Sequence, residues 1–444
     1  MPPPSSSASS LQVGYAYSPE YTRLCSLLPS NIDRAAIVDD LILRLVAVHE
    51  CCDIIKPSFA QKEELVEYHD EGFVSFLLRD NEELEESASE RDDDGRDANS
   101  SSSGSGNGND DLTGYITQRS SEQHQQNLNK RYGLEFDCPP FSDMDKYIQA
   151  VAGTTIACAR YLATSPSMAR SSSPSTEIPM PTKTRRRIAV NWHGGRHHAG
   201  KSRCSGFCYV NDIVLGILEL RRTYGKIMYI DLDMHHGDGV EAAFSHSRQV
   251  LTFSVHRHDR GFFPGTGSTK FAGKGRGQGY AVNVGMRQGL TDASLMRVLD
   301  EVAMDAYERF QPDAVVVQCG ADGLARDPTK EWNLSWKGLG DAIIKIATKW
   351  GHSQPVLLLG GGGYKHTDAA RLWCYVLGCL TVGQEMVEKW DLIPEGCTHI
   401  EEFAEDGYAF QVDNLRPLND ANLKDNFLDR TISVLKERLR MIEF

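Results

Sequence analysis

Five ionisable side chains follow one short apolar stretch, and they are the group in this sequence best suited to chemistry. The apolar residues 227–230 lead into Asp231, Asp233, His235, His236 and Asp238. Because residues two apart in an extended chain point to the same side, Asp233 and His235 are predicted to converge just beyond a strand. A carboxylate beside an imidazole suits a divalent metal. The alternative is a polar loop, but so dense a group directly after a buried strand favours a site.

Other chemistry-bearing residues also follow short apolar stretches. They are His197-His198 after 188–191, Phe262-Phe263 after 250–255, Asp322 after 314–318, and Tyr364, behind four glycines, after 356–359. Strands of one parallel sheet present their carboxyl ends at one edge, where α/β proteins place their ligands. We therefore expect all these side chains to meet.

The combined group predicts a hydrolase. Asp233, His235 and Asp322 would provide three protein ligands and leave an open position, the arrangement of a metal that activates water. A pair of histidines can act as acid and base, and a tyrosine hydroxyl can stabilise an oxyanion. Two phenylalanines can line a narrow apolar slot. These parts describe hydrolysis of an amide on a long, thin apolar substrate.

Apolar stretches and helical periodicity alternate along the chain, which predicts an α/β fold with a mostly parallel central sheet and helices on both faces. The predicted strands are 11–17, 188–191, 227–230, 250–255, 314–318 and 356–359. The predicted helices are 32–50, 61–79, 148–162, 209–223, 291–310, 337–350 and 366–380. A final amphipathic helix is predicted to dock on the core through Leu428, Ile432, Leu435, Leu439 and Ile442.

Three segments lack the composition of a folded core. Residues 1–10 are expected to be a disordered leader, and low-complexity insertions are expected at about 80–127 and 164–184, the first acidic and the second rich in Ser and Pro. The basic run 185–187 precedes a strand. It is consistent with a nuclear import patch, but we favour a solvated strand edge.

The composition bounds the class of protein. The chain has 444 residues, 40% of them hydrophobic, which is enough for a large core. A net charge of −14 argues against direct nucleic-acid binding through the phosphate backbone and is compatible with basic partners. The eleven cysteines contain no CxxC pair, as expected in a reducing compartment. With no signal peptide and no apolar run of membrane-spanning length, we expect a soluble intracellular protein without a membrane partner.

The motifs together resemble the class I, zinc-dependent histone deacetylases. The resemblance covers residues 11–385 apart from the insertions, and it implies a single arginase/deacetylase-like domain over 11–444. Within the class it is greatest to the histone deacetylase 8 branch. The motifs that carry it are Asn191-Trp-His-Gly-Gly-Arg-His-His198, Ser205-Gly-Phe-Cys-Tyr209, Asp231-Leu-Asp-Met-His-His-Gly-Asp238, Phe262-Phe-Pro-Gly-Thr-Gly267, Gly320-Ala-Asp322 and Gly360-Gly-Gly-Gly-Tyr364.

The resemblance implies a role for each residue of the reacting centre. Asp233, His235 and Asp322 match the zinc ligands, although iron(II) suits the same donor set. His198 matches the general base and acid, and His197 the neighbour that tunes it. The remaining matches are Tyr364 for the tyrosine that polarises the carbonyl, and Asp231 and Asp238 for the carboxylates that orient His197 and His198.

Further matches concern the substrate. Phe207 and Phe263 match the tunnel walls, and the carbonyl of Gly206 the acceptor for the substrate amide. Asp137 matches a rim aspartate that holds the substrate backbone. Leu334 is assigned to the rim, where relatives have methionine.

Relatives also hold structural potassium, and two sets of residues match these monovalent-cation sites. The first set is Asp231, Asp233, His235, Ser254 and Val255. The second set is Phe244, Ser247, Val250 and Tyr280. Arg34 matches an arginine of an internal acetate-release channel, and Arg196 stands where relatives have an apolar residue.

The implied activity is removal of acetyl groups from lysine side chains of histone tails and other acetylated proteins by metal-activated water, in the nucleus, the cytoplasm or both. The sequence identifies no co-repressor partner. Two alternatives stay open. One is an acetylpolyamine amidohydrolase, which shares these motifs. The other is a catalytically silent scaffold, which the complete set of reacting residues disfavours.

Overall fold

A computed structural model of the chain describes residues 11–79, 123–164, 186–350, 354–413 and 418–442. The leader 1–10 and most of both expected insertions lie outside these ranges, so those assignments stay predictions. Residues 123–132 are helical, so the last part of the first expected insertion belongs to a helix.

Eight strands form one sheet in which every pair is parallel. Their order is β2-β1-β3-β8-β7-β4-β5-β6. The strands are β1 Leu11–Ala16, β2 Asp53–Ile55, β3 Arg186–Asn191, β4 Ile227–Asp231, β5 Val250–Arg257, β6 Ala281–Met286, β7 Ala314–Gln318 and β8 Val356–Leu359.

Helices connect and cover the strands. They are α1 Pro19–Cys25, α2 Arg34–Leu45, α3 Val48–Cys51, α4 Lys62–Leu65, α5 Glu71–Leu78, α6 over 123–132, α7 Met144–Ala163, α8 Asp212–Leu220, α9 Asp238–Phe244, α10 Asp292–Val298, α11 Met304–Phe310, α12 Trp336–Lys349, α13 His366–Thr381, α14 Gln384–Val387 and α15 Phe427–Leu439. A π-helical segment, Leu299–Ala303, joins α10 to α11. Within the described ranges, no helix is both long and apolar enough to cross a membrane.

The central strand β7 shows why helices cover both faces. Val315 and Val317 pack in the larger core with residues of α2, α12 and α13. Ala314 and Val316 face the other way, into a core shared with α7, α8 and α9. A strand that is buried on both faces has a continuous apolar sequence, as β7 does. The parallel sheet with helices on both faces confirms the predicted α/β class.

Two strands escaped prediction because their sequences carry weak signals. β2 has only three residues, and two of them are exposed. β6 follows a glycine-rich segment, 273–279, and contains Asn283 and Gly285, which interrupt its apolar pattern. The six predicted strands are all present, with ends that differ by up to two residues.

Most helix predictions hold with corrections at the ends, but the prediction of one helix over 61–79 is wrong, because this stretch forms the two short helices α4 and α5 with non-helical residues 66–70 between them. The predicted helix 32–50 is divided because Ala47 adopts a left-handed backbone with φ of 36°, which ends one helix and begins another. The seven-residue α9 was not predicted, since it lies within the polar group after β4. The docked position of the final helix is confirmed, because all five residues of its apolar stripe are buried.

The expectation of a solvated edge at 185–187 is wrong for Arg186. This residue belongs to β3 and is only 5% exposed. Its guanidinium donates to the backbone carbonyls of Ala347, Trp350 and Gln354, near the carboxyl end of α12. Arginine favours such partly negative helix ends.

Candidate active site

One row of residues across the sheet marks the floor of the site. Asn191, Leu359, Gln318, Asp231 and Ser254 are register partners on the neighbouring strands β3, β8, β7, β4 and β5. Asp231 belongs to this row, and the segments after the five residues contain the other predicted reacting groups. The edge at which the parallel strands end therefore brings them together, as the sequence predicted.

Asp233, His235 and Asp322 form a compact donor group. Each offers one ligand atom, and the three atoms lie within 4.8 Å of one another. Asp233 and Asp322 are almost completely buried, and His235 is partly exposed. Two carboxylates and one imidazole with an accessible side fit zinc or iron(II), since catalytic sites of this kind keep one coordination position open.

The second oxygen of each carboxylate is held by the protein. Gln318 Nε2 donates to Asp233 Oδ2 at 2.8 Å, and the backbone N–H of Gly362 donates to the same oxygen at 2.8 Å. The backbone N–H of Met234 donates to Asp322 Oδ1 at 2.9 Å. These bonds fix both carboxylates with their other oxygens towards His235, as preorganised metal ligands require.

The donor group creates a strongly negative field. Burial opposes a charge on His235, but hydrogen bonds and charges from Asp233 and Asp322 outweigh it and raise the pKa of the imidazole to about 10. Burial and the charge of Asp233 raise the pKa of Asp322 to about 7. A bound divalent cation would neutralise this field, and its binding would release protons.

Glycine is required beside two of the reacting groups. A Cβ at Gly362 would lie 2.5 Å from Asp322 Oδ2, and a Cβ at Gly206 would lie 2.4 Å from the His198 ring. Gly206 also has a left-handed backbone, with φ of +53°. Side chains at these positions would displace the groups that do the chemistry.

His197 and His198 lie side by side with separate carboxylate partners. Their ring centroids are 3.9 Å apart. His197 Nδ1 is 2.8 Å from Asp231 Oδ2, and His198 Nδ1 is 2.7 Å from Asp238 Oδ1. Because each carboxylate engages Nδ1, the Nε2 atom of each ring is directed towards the cavity that both histidines line.

The two histidines titrate in opposite directions. Burial opposes a charge on His197, but the charges of Asp231 and Asp233 outweigh it and raise its pKa. Burial lowers the pKa of His198, and the charge on His197 lowers it further, against the pull of Asp238. His198 is therefore the ring that is free to accept a proton, and His197 is the ring that more readily holds a positive charge.

Tyr364 enters the site from the glycine segment after β8. Its backbone N–H donates to Asp327 Oδ2 at 2.7 Å, which holds the segment in place. Its ring packs edge-on against Phe207, with centroids 5.7 Å apart. Burial, with the nearby charges of Asp322 and Asp233, raises the pKa of the phenol well above its usual value. The hydroxyl therefore remains a hydrogen-bond donor at neutral pH.

Aromatic rings form the approach to these groups. Phe207 is partly exposed and Phe263 is exposed, and the centroid of the Phe263 ring lies 4.9 Å from that of His198. Phe262 stacks on the ring of His235 at 5.4 Å. The placement of Phe207 and Phe263 is compatible with their predicted role as tunnel walls.

Asp137 has a local partner that the sequence did not indicate. Its Oδ2 accepts the backbone N–H of Gly206 at 2.7 Å. This bond fixes the segment that carries Phe207, whose backbone is also left-handed, with φ of 62°. Asp137 is partly exposed beside the fully exposed ring of Phe136, so its predicted role in holding a substrate backbone remains a prediction.

Leu334 does not form the rim, and that expectation is wrong. Its side chain has 0% exposure. Its backbone is paired with Gly323 and Ala325, and a Cβ at Gly323 would lie 3.2 Å from its side chain. An apolar leucine here fills the core, and in the segment after Asp322 the exposed residues are Pro328 and Lys330.

The predicted monovalent-cation residues fall into two places. Ser254 and Val255 are buried on β5, beside Asp231 at the end of β4. The second set surrounds the amino end of β5, with Phe244 at the end of α9 and Tyr280 just before β6. The residues of each set therefore lie near one another. Potassium binding at either set stays a prediction.

Three residues support the site without having been predicted. Gln318 holds Asp233, Asp327 holds the Tyr364 backbone, and Tyr229 donates its hydroxyl to Asp231 Oδ2 at 2.7 Å. Gln318 and Tyr229 could have been found from the sequence, because each is a polar residue within an otherwise apolar central strand. Polar groups are retained in such strands where they have a hydrogen-bond partner.

Comparison with known proteins gives a consistent result. Residues 28–380 match the family model described as "Histone deacetylase domain". "Histone deacetylase 8" of Xenopus tropicalis is 35% identical over 372 residues, which cover 84% of each chain. "Histone deacetylase 8" of Danio rerio is 34% identical over 433 residues, 97% of this chain and 96% of that protein. "Histone deacetylase 9" of Arabidopsis thaliana is 35% identical over 352 residues, 79% of this chain and 68% of that protein.

Proposed function

This chain belongs to the histone deacetylase family and is a metal-dependent protein lysine deacetylase, and we propose how its residues perform the hydrolysis. The observation that supports the proposal best is the convergence of the three metal-ligating atoms within 4.8 Å, beside a histidine pair with separate carboxylate partners. A divalent metal held by Asp233, His235 and Asp322 would supply Lewis acidity towards the acetyl carbonyl and lower the pKa of water.

The attack on the carbonyl depends on His198. As the neutral histidine of the pair, it accepts the proton of the attacking water. Asp238 holds Nδ1, so that Nε2 is the basic atom. The Tyr364 hydroxyl donates to the carbonyl oxygen as negative charge develops on it.

Departure of the lysine amine requires a proton. Either His198, which has just gained one, or His197, whose pKa is raised, can donate it. The two rings are close enough to titrate as a coupled pair, so the donor is a property of the pair. Phe207 and Phe263 exclude water around the lysine chain, and the Gly206 carbonyl accepts from the substrate amide.

The physiological setting follows from the same proposal. Acetylated proteins are the substrates, and we infer that lysine-rich histone tails are among them because the chain is acidic, with a net charge of −14. We place the enzyme in the nucleus, the cytoplasm or both. The metal is zinc or iron(II), with structural potassium at the two residue sets that match monovalent-cation sites.

The direct test compares two substrates on the purified holoenzyme. We expect hydrolysis of an acetyl-lysine peptide to exceed that of an acetylpolyamine. The reverse order would identify a polyamine amidohydrolase, and hydrolysis of neither substrate by metal-loaded protein would identify a silent scaffold.

Tyr364→Phe is expected to lower kcat by about 10²- to 10³-fold, with little change in KM, because it removes one donor to the developing oxyanion. The ring and its packing on Phe207 remain. Steady-state kinetics on the acetyl-lysine peptide provide the measurement. Phe207→Leu serves as the control, since it alters the wall and should affect KM more than kcat. A wild-type kcat for Tyr364→Phe would contradict the assigned role.

Shortening the two low-complexity segments, 80–122 and 165–184, is expected to leave turnover on a short acetyl-lysine peptide unchanged. Their polar, charged composition is unable to supply the apolar burial on which a packed site depends. The measurement is kcat/KM of the full chain against a variant with short Gly-Ser linkers. A folded, metal-loaded variant without activity would mean that these segments help to build the site.

A further inference from the structure

The part of the chain around the outer strand β6 has an excess of positive charge. Between residues 242 and 291 there are seven lysines and arginines but a single acidic residue, Asp259, although the net charge of the whole chain is −14. Five of the seven basic side chains are exposed. They are Arg248, Arg260, Lys270, Lys274 and Arg276, and we call them the basic strip.

The basic strip begins at the active-site entrance. Arg260 follows β5 and comes two residues before Phe262, whose ring stacks on the metal-ligating His235. The backbone N–H of Arg260 donates to Asp259, and its side chain extends into solvent. A group bound by Arg260 would therefore lie beside the opening through which the acetyl-lysine enters.

The segment after the entrance continues the strip along the edge of the sheet. A Cβ at Gly285, near the carboxyl end of β6, would lie 3.4 Å from Thr269 Oγ1. The backbone N–H of Ala281, at the start of β6, donates to the carbonyl of Ala272. Residues 269–272 therefore run along β6 from its carboxyl end to its amino end, and Lys270 is exposed on this segment.

The strip ends at the amino ends of β5 and β6. The backbone N–H of Lys274 donates to the Ser245 carbonyl at 2.7 Å, and Arg248 Nε donates to the Arg276 carbonyl at 2.8 Å. Arg248 and Arg260 lie on either side of β5, which has eight residues. At about 3.3 Å per residue, the strip is roughly 25 Å long.

The protein provides no counter-charge to the strip. In the described part of the chain, no carboxylate forms an ion pair with any of its five side chains. Asp259 pairs instead with Arg257, which also pairs with Glu331. The positive potential of this edge is local, because charges more than about 8 Å away are screened at physiological ionic strength. The acidity of the whole chain therefore does not cancel it.

We propose that the basic strip is a docking surface for the phosphate backbone of double-stranded DNA, so that the enzyme acts on acetyl-lysine presented beside DNA, as on a histone tail of a nucleosome. Exposed lysines and arginines bind phosphates without reading the base sequence. One DNA strand has a phosphate about every 3.4 Å along the helix axis, so a strip of this length spans roughly seven of them. A single acidic side chain of a partner would occupy only one part of it.

The inference rests on the proposed deacetylation of histone tails and names the form in which the tail is presented. Histones hold DNA on their surface, so a tail lysine lies close to phosphates. Binding of this kind is weak and independent of sequence, with a dissociation constant of about 10⁻⁴ to 10⁻⁶ M. It holds the nucleosome at the entrance while the tail enters the active site.

The first measurement is binding of a labelled short DNA duplex to the holoenzyme by fluorescence anisotropy at several salt concentrations. Each neutralised phosphate contributes about −0.9 to the slope of log K against log salt concentration, so five cations predict a slope of about −4.5. The triple variant Lys270→Gln, Lys274→Gln, Arg276→Gln should reduce the steepness by about 2.7 and weaken binding by about 10-fold or more.

A matched control removes the same charge elsewhere. Lys56→Gln, Lys349→Gln, Lys389→Gln replaces three other exposed lysines, of which Lys56 follows β2 at the opposite edge of the sheet. This variant has the same net charge as the first and should bind DNA as the wild type does. The Tm of each variant reports whether it is folded.

The second measurement is kcat/KM on an acetylated nucleosome and on the same tail sequence as a free acetyl-lysine peptide. We expect the first triple variant to lower the ratio of nucleosome to peptide by about 10-fold, with the peptide value unchanged, since the strip lies outside the reacting groups. The control variant should keep the wild-type ratio.

Four results would overturn the inference. They are failure of the wild type to bind DNA at low salt, equal losses of DNA binding in the two triple variants, an unchanged nucleosome-to-peptide ratio in the first variant, and competition by polyglutamate as strong as by DNA at equal charge, which would assign the strip to an acidic protein. The wild-type salt slope and this competition decide the question even if the first variant does not fold. DNA binding is measured without turnover, so metal-loaded enzyme that binds DNA but fails to deacetylate the peptide would overturn the proposed function alone.

Discussion

Asp322→Asn is expected to abolish turnover and to release the metal while the fold stays intact. The substitution keeps the oxygen that accepts the Met234 N–H and replaces the oxygen that faces His235 with an amide nitrogen. Residues that only orient a metal ligand typically contribute about 10- to 100-fold to metal affinity or activity. Loss of a ligand itself should therefore lower metal affinity and turnover by more than about 100-fold.

The measurement is metal content after dialysis, together with kcat on an acetyl-lysine peptide and the Tm. Asp292→Asn is the matched control, because Asp292 is a partly buried carboxylate that also accepts hydrogen bonds, here from Ser335. It should retain metal and activity. If Asp322→Asn retained wild-type metal content and rate, Asp322 would not be a ligand, and the donor group would have to be assigned again.

The sequence predicted the parts of the fold that carry strong local signals. Long apolar runs such as β7 are buried on both faces, so their composition alone identifies them. β6 depends instead on its pairing with β5, and its own residues Asn283 and Gly285 weaken the pattern. The division of the helix at Ala47 is likewise a tertiary effect, since alanine has no local preference for a left-handed backbone.

The site followed the same logic. Residues placed by a strand end, such as Asp233 and His198, were predictable because the edge of a parallel sheet fixes where they meet. Gln318 and Asp327 were not, because their function depends on partners far away in sequence. Leu334 was assigned to the rim by resemblance alone, and its complete burial shows that the order of residues in a loop does not determine which of them reaches the surface.

His198→Ala is expected to lower kcat by about 10²- to 10⁴-fold, the usual contribution of a general acid–base group. The cavity keeps His197, but its two carboxylate neighbours, Asp231 and Asp233, raise the pKa of that ring and make it a less available acceptor for the proton of water. Its Nδ1 is also bound to Asp231, and its Nε2 lies 3.8 Å from Asp233 Oδ1, so it is held away from the position that His198 occupies. One histidine therefore does not replace the other.

His197→Ala provides the internal comparison, and it should be milder. It removes a positive charge that lowers the pKa of His198, so His198 should become more basic and remain able to take the proton. The measurement is kcat for both variants at equal metal content, on acetyl-lysine and trifluoroacetyl-lysine peptides. The more electrophilic trifluoroacetyl group needs less help from a base, so the loss in His198→Ala should shrink on that substrate. Equal and small losses in the two variants on acetyl-lysine would remove the role assigned to His198 and point to proton transfer shared across the pair.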